Sequence, residues 1–217
     1  HVVPILSGGT GLYVQSLLEN YNFNDIKPNT KLRIELDELY TEYGVDGLRE
    51  YAQNLAEKGG IEIKYTDKHR LYRAIELMTA GDYKSLIKQT KEGLSYKGPV
   101  IGLQRERSDL YDRINRRVEI MFEKGLVDEV KQLLKNGVNP NCQAFKGIGY
   151  KEVVQYLEGL ISYDACVDLI QKNTRHFAKR QITWYKRMPY IEWITIDSQT
   201  TEAEIYGMAC NIIDSSF

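Results

Sequence analysis

Three groups of residues in this 217-residue chain have the types and spacing to handle anions. The first is Ser7-Gly8-Gly9-Thr10-Gly11, which follows the apolar run Val2-Val3-Pro4-Ile5-Leu6 and leads into Leu12, Tyr13, Leu17 and Leu18 at helical spacing. Glycines let a backbone come close to an anion, and a helix that starts there aims free N–H groups and about half a positive charge at it. A plain strand-to-helix turn explains the same glycines. The run has neither Walker A spacing nor the third glycine of a dinucleotide fingerprint, and no lysine follows it, so it is not a triphosphate cradle.

The second group lies near the end of the chain. Lys172, Arg175, Lys179 and Lys186 recur at spacings of three, four and seven, which puts them on one helical face, with Arg180 and Arg187 beside them. From Lys172 to Pro189 there are six Lys+Arg and no Asp or Glu. A solvated face usually mixes signs. A one-signed row interleaved with His176, Trp184 and Tyr185 suits phosphate contacts and base stacking, although a helix answering acidic surfaces elsewhere in the fold gives the same pattern. The third group comprises the pairs Arg70 with Arg73 and Arg113 with Arg117. Guanidinium groups bind phosphate or pyrophosphate through paired N–H donors, and surface salt bridges are their alternative use. Lys146-Gly147-Ile148-Gly149-Tyr150-Lys151 can offer amides and two lysines to a phosphate, or can simply open a helix.

Other chemistries find little support. His1, His69 and His176 have no metal-ligand spacing with one another or with cysteine, no Ser/His/Asp or Cys/His set stands out, and no carboxylate is marked as a general base. Cys142, Cys166 and Cys210 are odd in number and form no Cys-x-x-Cys pair, which argues against a disulfide framework and for a reducing, cytoplasmic compartment.

These groups need elements to hold them. Residues 2–6 read as a buried strand before the glycine turn. Pro28-Asn29-Thr30 starts a helix with Leu32, Leu36, Leu39 and Tyr43 that Gly44 stops, and a second runs through Leu48, Tyr51, Ala52 and Leu55 to Gly59-Gly60. Asp67 caps a helix whose Leu71, Ala74, Ile75 and Met78 face inward. A polar helix is expected over 82–92 and a second strand at Pro99–Leu103. Ser108 is expected to cap a long helix with Leu110, Ile114, Val118 and Met121 inside, interrupted at Gly125 and resumed over Leu126–Lys135. Residues 136–145 read as a linker. A helix follows to Glu158. The longest one runs from about Ser162 to Arg187, with Tyr163, Ile170, Phe177 and Trp184 repeating every seven residues as one apolar stripe. A third strand at Ile191–Ile196 and a helix over Glu202–Ile213 end the chain.

The composition is 42% hydrophobic and 27% charged, with 29 Lys+Arg against 30 Asp+Glu, which excludes disordered and collagenous classes. The net charge of -1 neither supports nor excludes a nucleic-acid partner, because steering depends on how charge is distributed. The stretch without formal charge, His1–Leu18, is too polar and too broken to span a bilayer. Three scattered strands are too few for an ordinary parallel sheet of about five or six. The chain opens on His1 rather than Met, so an upstream segment that completes the sheet is expected.

Gly8-Gly9-Thr10-Gly11-Leu12-Tyr13, Arg70-Leu71-Tyr72-Arg73-Ala74-Ile75-Glu76, Gly147-Ile148-Gly149-Tyr150-Lys151-Glu152 and Ala178-Lys179-Arg180-Gln181-Ile182-Thr183-Trp184 stand in the order and spacing of the tRNA dimethylallyltransferases, also called tRNA isopentenyltransferases, which this chain resembles over nearly its whole length. The helix Leu110–Val118 and the following Gly125–Val130 resemble that family too. The resemblance implies transfer of a five-carbon prenyl group from dimethylallyl diphosphate to N6 of the adenosine 3′ of a tRNA anticodon, with Mg²⁺ assisting loss of pyrophosphate. It implies an α/β fold with a P-loop-like three-layer core, incomplete in this chain, formed by 1–24 and 98–217. Residues 25–97 become an inserted, mostly helical tRNA-binding domain that grips the anticodon stem-loop, in a monomer with no membrane segment.

Carried over residue by residue, the likeness places Thr10 at the pocket and Arg113 or Arg117 near the pyrophosphate, with Gly8 and Gly9 against the donor. It places Arg33, His69, Arg70, Arg73, Lys146, Gly149, Tyr150, Lys151, Lys179, Arg180, Thr183, Trp184, Lys186 and Arg187 on tRNA-facing surface. The family's N-terminal Walker-like loop and the catalytic Asp after it have no counterpart here, and Gly59–Tyr65 lacks the expected Asp-Pro and His-Pro pieces. A non-catalytic RNA-binding module using the basic helix 172–187 is the alternative from a different class, with a nucleotide-dependent kinase-like protein as a third.

Overall fold

A computed structural model describes residues 4–21, 25–87 and 94–216. The chain divides into two compact units, Gln15–Ser95 and His1–Val14 with Tyr96–Phe217. Helix α1, Gly11–Leu18, follows the glycine turn.

In the Gln15–Ser95 unit, the Asn29 side chain accepts from the Leu32 amide at 3.1 Å and so starts α2, Thr30–Lys58. Gly44 leaves helical geometry inside α2 at φ 65, ψ −154, so the two helices expected from the sequence meet at a kink. Asp67 caps α3, Lys68–Thr79, by accepting from the Arg70 amide at 3.0 Å. Apolar positions four apart in each half of α2 (Leu32 and Leu36, then Leu48, Ala52 and Ala56) bury against Leu71, Ile75 and Met78 of α3. Burying each large aliphatic side chain contributes about 1.5–3 kcal/mol. The polar helix expected over 82–92 is a single 3-10 turn at Lys84–Leu86, and residues 88–93 lie outside the described residues.

The other unit is α/β, mostly helical with a small parallel sheet. Strand β1, Val100–Arg105, pairs with β2, Ile191–Ile196, in the register Val100↔Ile191 through Arg105↔Ile196. Among the described residues these two strands make up the sheet. The strand expected over 2–6 is not formed in its described part: residues 4–6 are coil, and Ile5 is 90% exposed. An extended segment without a ladder leaves its amides and carbonyls to water, which gives it no reason to stay a strand; Val2 and Val3 lie outside the described residues.

After β1 comes α4, Arg107–Glu123. Its cap is Glu106, not Ser108: the carboxylate accepts from the Ser108 amide at 2.6 Å, because it stands one residue before the helix where an anion meets free N–H groups. Gly125, at φ 92, turns the chain into α5, Leu126–Lys135. The segment 136–145 is no linker, since it stays within this unit and Phe145, in the 3-10 turn Ala144–Lys146, is 2% exposed. Next come α6, Tyr150–Leu157, and α7, Tyr163–Tyr185, and α8, Glu202–Asp214, closes the chain. Val118, Phe122, Leu126, Val130, Phe145, Val153, Cys166 and Ile170 form the core. Of the heptad stripe of α7 only Ile170 is buried, at 1% exposed, while Tyr163 is 45% and Phe177 43% exposed, because the core covers the helix around Cys166 and Ile170 and not at either side. No helix among the described residues is long and apolar enough to cross a membrane.

Candidate functional site

Helix α7 carries different chemistry on different faces. Toward the rest of its unit it extends polar side chains that grip three other segments. Arg175 donates to the Asn115 side chain, and Gln171 Nε2 donates to the Asn115 carbonyl at 3.4 Å, which ties α7 to α4. Arg175 therefore leaves the outward basic row that its spacing suggests. Asn173 Nδ2 donates at 2.7 Å to Oε1 of Glu152, a carboxylate almost wholly buried at the start of α6. Gln181 Nε2 donates at 2.8 Å to the carbonyl of Gly9.

The glycine turn is shaped by that last contact. Gly8, Gly9 and Gly11 all keep negative φ, so conformational freedom is not why glycine stands there. A Cβ on Gly9 would lie 2.5 Å from Gln181 Nε2, and one on Gly11 2.3 Å from Trp184 Cδ1. The glycines let α7 approach, while Gly8 faces open space. Thr10 is exposed and its carbonyl accepts from the Tyr13 and Val14 amides at 3.0 and 3.2 Å, opening α1. The Trp184 ring is braced on Gly11, with its indole N–H buried and without a hydrogen-bond partner among the described residues.

The outward side of α7 and the two residues that follow it carry a row of exposed cations. Lys172, Lys179, Arg180, Lys186 and Arg187 are exposed, and none makes an ion pair among the described residues. The Arg180 guanidinium lies 5.8 Å from the Phe177 ring centroid, and the Thr183 hydroxyl donates to the Lys179 carbonyl at 2.8 Å. On α4, Arg113 and Arg117 stand one turn apart, both exposed, and neither makes a hydrogen bond or ion pair among the described residues. A cluster of unneutralised cations is unfavourable by itself and becomes favourable when a polyanion supplies the missing charge.

Lys146 and Lys151 flank a turn built by Gly149 at φ 106, a backbone that side chains rarely adopt. The Gly149 amide donates to Glu152 Oε2 at 2.8 Å, Lys151 Nζ sits 3.4 Å from the same carboxylate, and Lys146 is exposed. Tyr150 donates to Glu129; that bond, together with burial, raises its phenol above the usual range.

In the Gln15–Ser95 unit the arginines divide. Glu76, with a side chain 1% exposed, accepts from Arg33 Nε at 2.7 Å, Arg33 Nη2 at 3.2 Å, Arg73 Nη1 at 3.2 Å and the Asn29 amide at 3.0 Å. Arg73 also donates to the Ile26 carbonyl at 2.8 Å. Burial pushes the Glu76 carboxyl up, but Arg33, the Asn29 amide and Arg73 outweigh it and hold it below the usual range. In this structure Arg33 and Arg73 neutralise a buried carboxylate. His69 and Arg70 face solvent, with Arg70 paired only at the surface, 3.3 Å from Asp67.

Sequence reasoning missed Glu76, Glu152, Asn173 and Gln181 as the residues that hold the candidates in place. A glutamate three residues after Gly149 is a helix-start signal that was available; the partners of Glu76 and Gln181 lie too far along the chain for any local pattern.

The sequence matches the IPP transferase family over residues 1–188. It is 39% identical over 197 residues to a tRNA dimethylallyltransferase of Clostridioides difficile (strain 630), covering 89% of this chain and 62% of that protein. It is 37% identical over 214 residues to the tRNA dimethylallyltransferase of Alkaliphilus metalliredigens (strain QYMF), covering 96% of this chain and 68% of that protein. The fold is similar to the crystal structure of the full-length tRNA isopentenylpyrophosphate transferase of Bacillus halodurans, with TM-score 0.59, 33% identity, and 95% of this chain and 65% of that one covered. It is also similar to the tRNA delta(2)-isopentenylpyrophosphate transferase of Staphylococcus epidermidis, with TM-score 0.59, 31% identity, and 95% and 67% covered. The chain thus spans 62% and 68% of the length of the two curated relatives.

Proposed function

We propose, from the fact that this chain belongs to the IPP transferase family, that the full-length protein carrying it is a cytoplasmic prenyltransferase. It moves a dimethylallyl group from dimethylallyl diphosphate to N6 of the adenosine 3′ of a tRNA anticodon. N6 forms a bond to C1 of the dimethylallyl group as the C1–O bond breaks, pyrophosphate leaves with the electron pair, and the N6 proton passes to a base. The observation that carries this reading is the row Lys172, Lys179, Arg180, Lys186 and Arg187, without ion pairs among the described residues and borne by the helix that grips the Thr10 turn and by the two residues after that helix. Phosphates of the anticodon stem-loop supply the missing charge, while a splayed loop base is needed before N6 can react.

Arg113 and Arg117 suit the charge that develops on departing pyrophosphate, because a guanidinium offers paired donors and these two have no competing partner among the described residues. Thr10 contributes a hydroxyl on a braced turn. Lys146, Tyr150 and Lys151 extend the RNA-facing surface of the unit that carries α7, with the buried Gly149 shaping their turn, and His69 and Arg70 offer exposed side chains on the Gln15–Ser95 unit; the protein acts as a monomer. The family implies Mg²⁺; among the described residues no group of three or more His, Cys, Asp or Glu side chains is placed to hold a metal ion, and Mg²⁺ is commonly held by one or two carboxylates together with substrate phosphates. Incubating the full-length protein with tRNA and labelled dimethylallyl diphosphate tests the proposal. Label in RNA is expected; salt-sensitive RNA binding with no label would instead identify a binding module.

A further inference from the structure

We propose that Gln181 is a positioning residue for the transfer reaction, holding the turn that presents Thr10 so that one helix sets both where RNA phosphates bind and where the reactive turn stands. The inference rests on the function proposed above. Its basis is geometric. Gln181 Nε2 donates to the Gly9 carbonyl at 2.8 Å. A peptide unit is planar, so fixing the Gly9 oxygen also fixes the direction of the Thr10 N–H. The peptide on the other side of Thr10 is held as well, because its carbonyl accepts from the Tyr13 and Val14 amides. Thr10 therefore stands between two immobilised planes with its side chain exposed.

One helical turn beyond Gln181, Trp184 packs on Gly11 so closely that a Cβ there would lie 2.3 Å from the ring. The same stretch of α7 carries Lys179 and Arg180 immediately before Gln181, and both are free of ion pairs among the described residues. A shift of α7 when RNA engages these cations is passed to the Gly9 carbonyl through a single side chain. Gln181 touches no reacting atom; it acts through the backbone of Thr10.

The test uses the full-length protein and three variants: Gln181→Ala, Gly9→Ala and the double variant. A Cβ on Gly9 would come within 2.5 Å of Gln181 Nε2 and evict the amide, so Gly9→Ala should reproduce the loss by the opposite route. Expected for Gln181→Ala is a fall in kcat on the order of ten-fold, with KM for tRNA and the melting temperature unchanged. The double variant should be no slower than Gln181→Ala alone, since only one contact exists to lose. A loss confined to KM, a kcat within two-fold of the parent, or fully additive losses would overturn the proposal. If the parent protein fails to transfer the prenyl group, the functional reading falls, and hydrogen exchange at the Tyr13 and Val14 amides, which donate to the Thr10 carbonyl, still decides the inference. Faster exchange in Gln181→Ala supports it, and unchanged protection overturns it.

Discussion

Replacing Glu76 by glutamine changes one buried atom and tests whether Arg33 and Arg73 are structural ties. The carboxylate takes four donated bonds, two of them from arginine to Oε2, at 3.2 Å each. Glutamine keeps an acceptor for Arg33 Nε and the Asn29 amide but sets an NH2 against the other two donors. Each lost charge-assisted bond costs about 1.5–3 kcal/mol. The arginine side chains are 43% and 34% exposed, so water recovers part of that, and the net cost is about 2–3 kcal/mol. For a unit of this size that lowers the melting temperature by roughly 10–20 °C, read by circular dichroism at pH 7.

The pH dependence gives the sign. The folded Glu76 carboxyl is held below its ordinary value, which for the unfolded chain is about 4.3. Its contribution is complete above that value and is lost as pH falls through the lower folded one, so parent and Glu76→Gln should converge in acid. The control Arg70→Gln, at a surface pair, should shift stability by less than about 0.5 kcal/mol. A Glu76→Gln melt coincident with the parent at pH 7, or a gap that persists unchanged at low pH, would refute the reasoning.

Three further outcomes follow from particular contacts. Gly11→Ala should destabilise its unit by about 1–3 kcal/mol through overpacking and shift tryptophan emission to the red, because the new Cβ would force Trp184 off the turn. Lys179→Ala with Arg180→Ala should lower the log–log salt slope of tRNA binding by about two and leave diphosphate affinity and the melting temperature unchanged, as checked by binding at several salt concentrations. Burial, aided by nearby Glu152, pushes the Cys166 thiol up to about 11, so thiol reagents at pH 8 should label Cys142 and Cys210 first and Cys166 only on unfolding.

What was legible in the sequence was local. Asn29 and Asp67 cap helices a few residues away, Gly44 and Gly125 break helices where they stand, and the amphipathic spacing of α3 and α5 needs only the neighbouring turns. The strands at Pro99–Leu103 and Ile191–Ile196 could be read from their own residues, but their pairing with each other could not. Failures came where a distant segment decides. Residues 4–6 have strand-like side chains but no ladder, and Phe177 keeps its heptad position although the core ends before it. Arg33 and Arg73 carry charges that suit RNA, while Glu76, buried by the packing of α3 on α2, claims them. Gln181 shows the limit most plainly, since its amide meets Gly9 across 172 residues, and no spacing rule connects a glutamine to a glycine.

The central claim, that the full-length protein prenylates tRNA at a single base through the surface around α7 and the Thr10 turn, is tested most directly by mapping the product. After reaction with labelled dimethylallyl diphosphate and tRNA, nuclease digestion and mass spectrometry should find the label on N6 of the adenosine 3′ of the anticodon, and Arg113→Ala with Arg117→Ala should abolish it. Label spread over other nucleotides, or an RNA that binds tightly and stays unmodified, would contradict it.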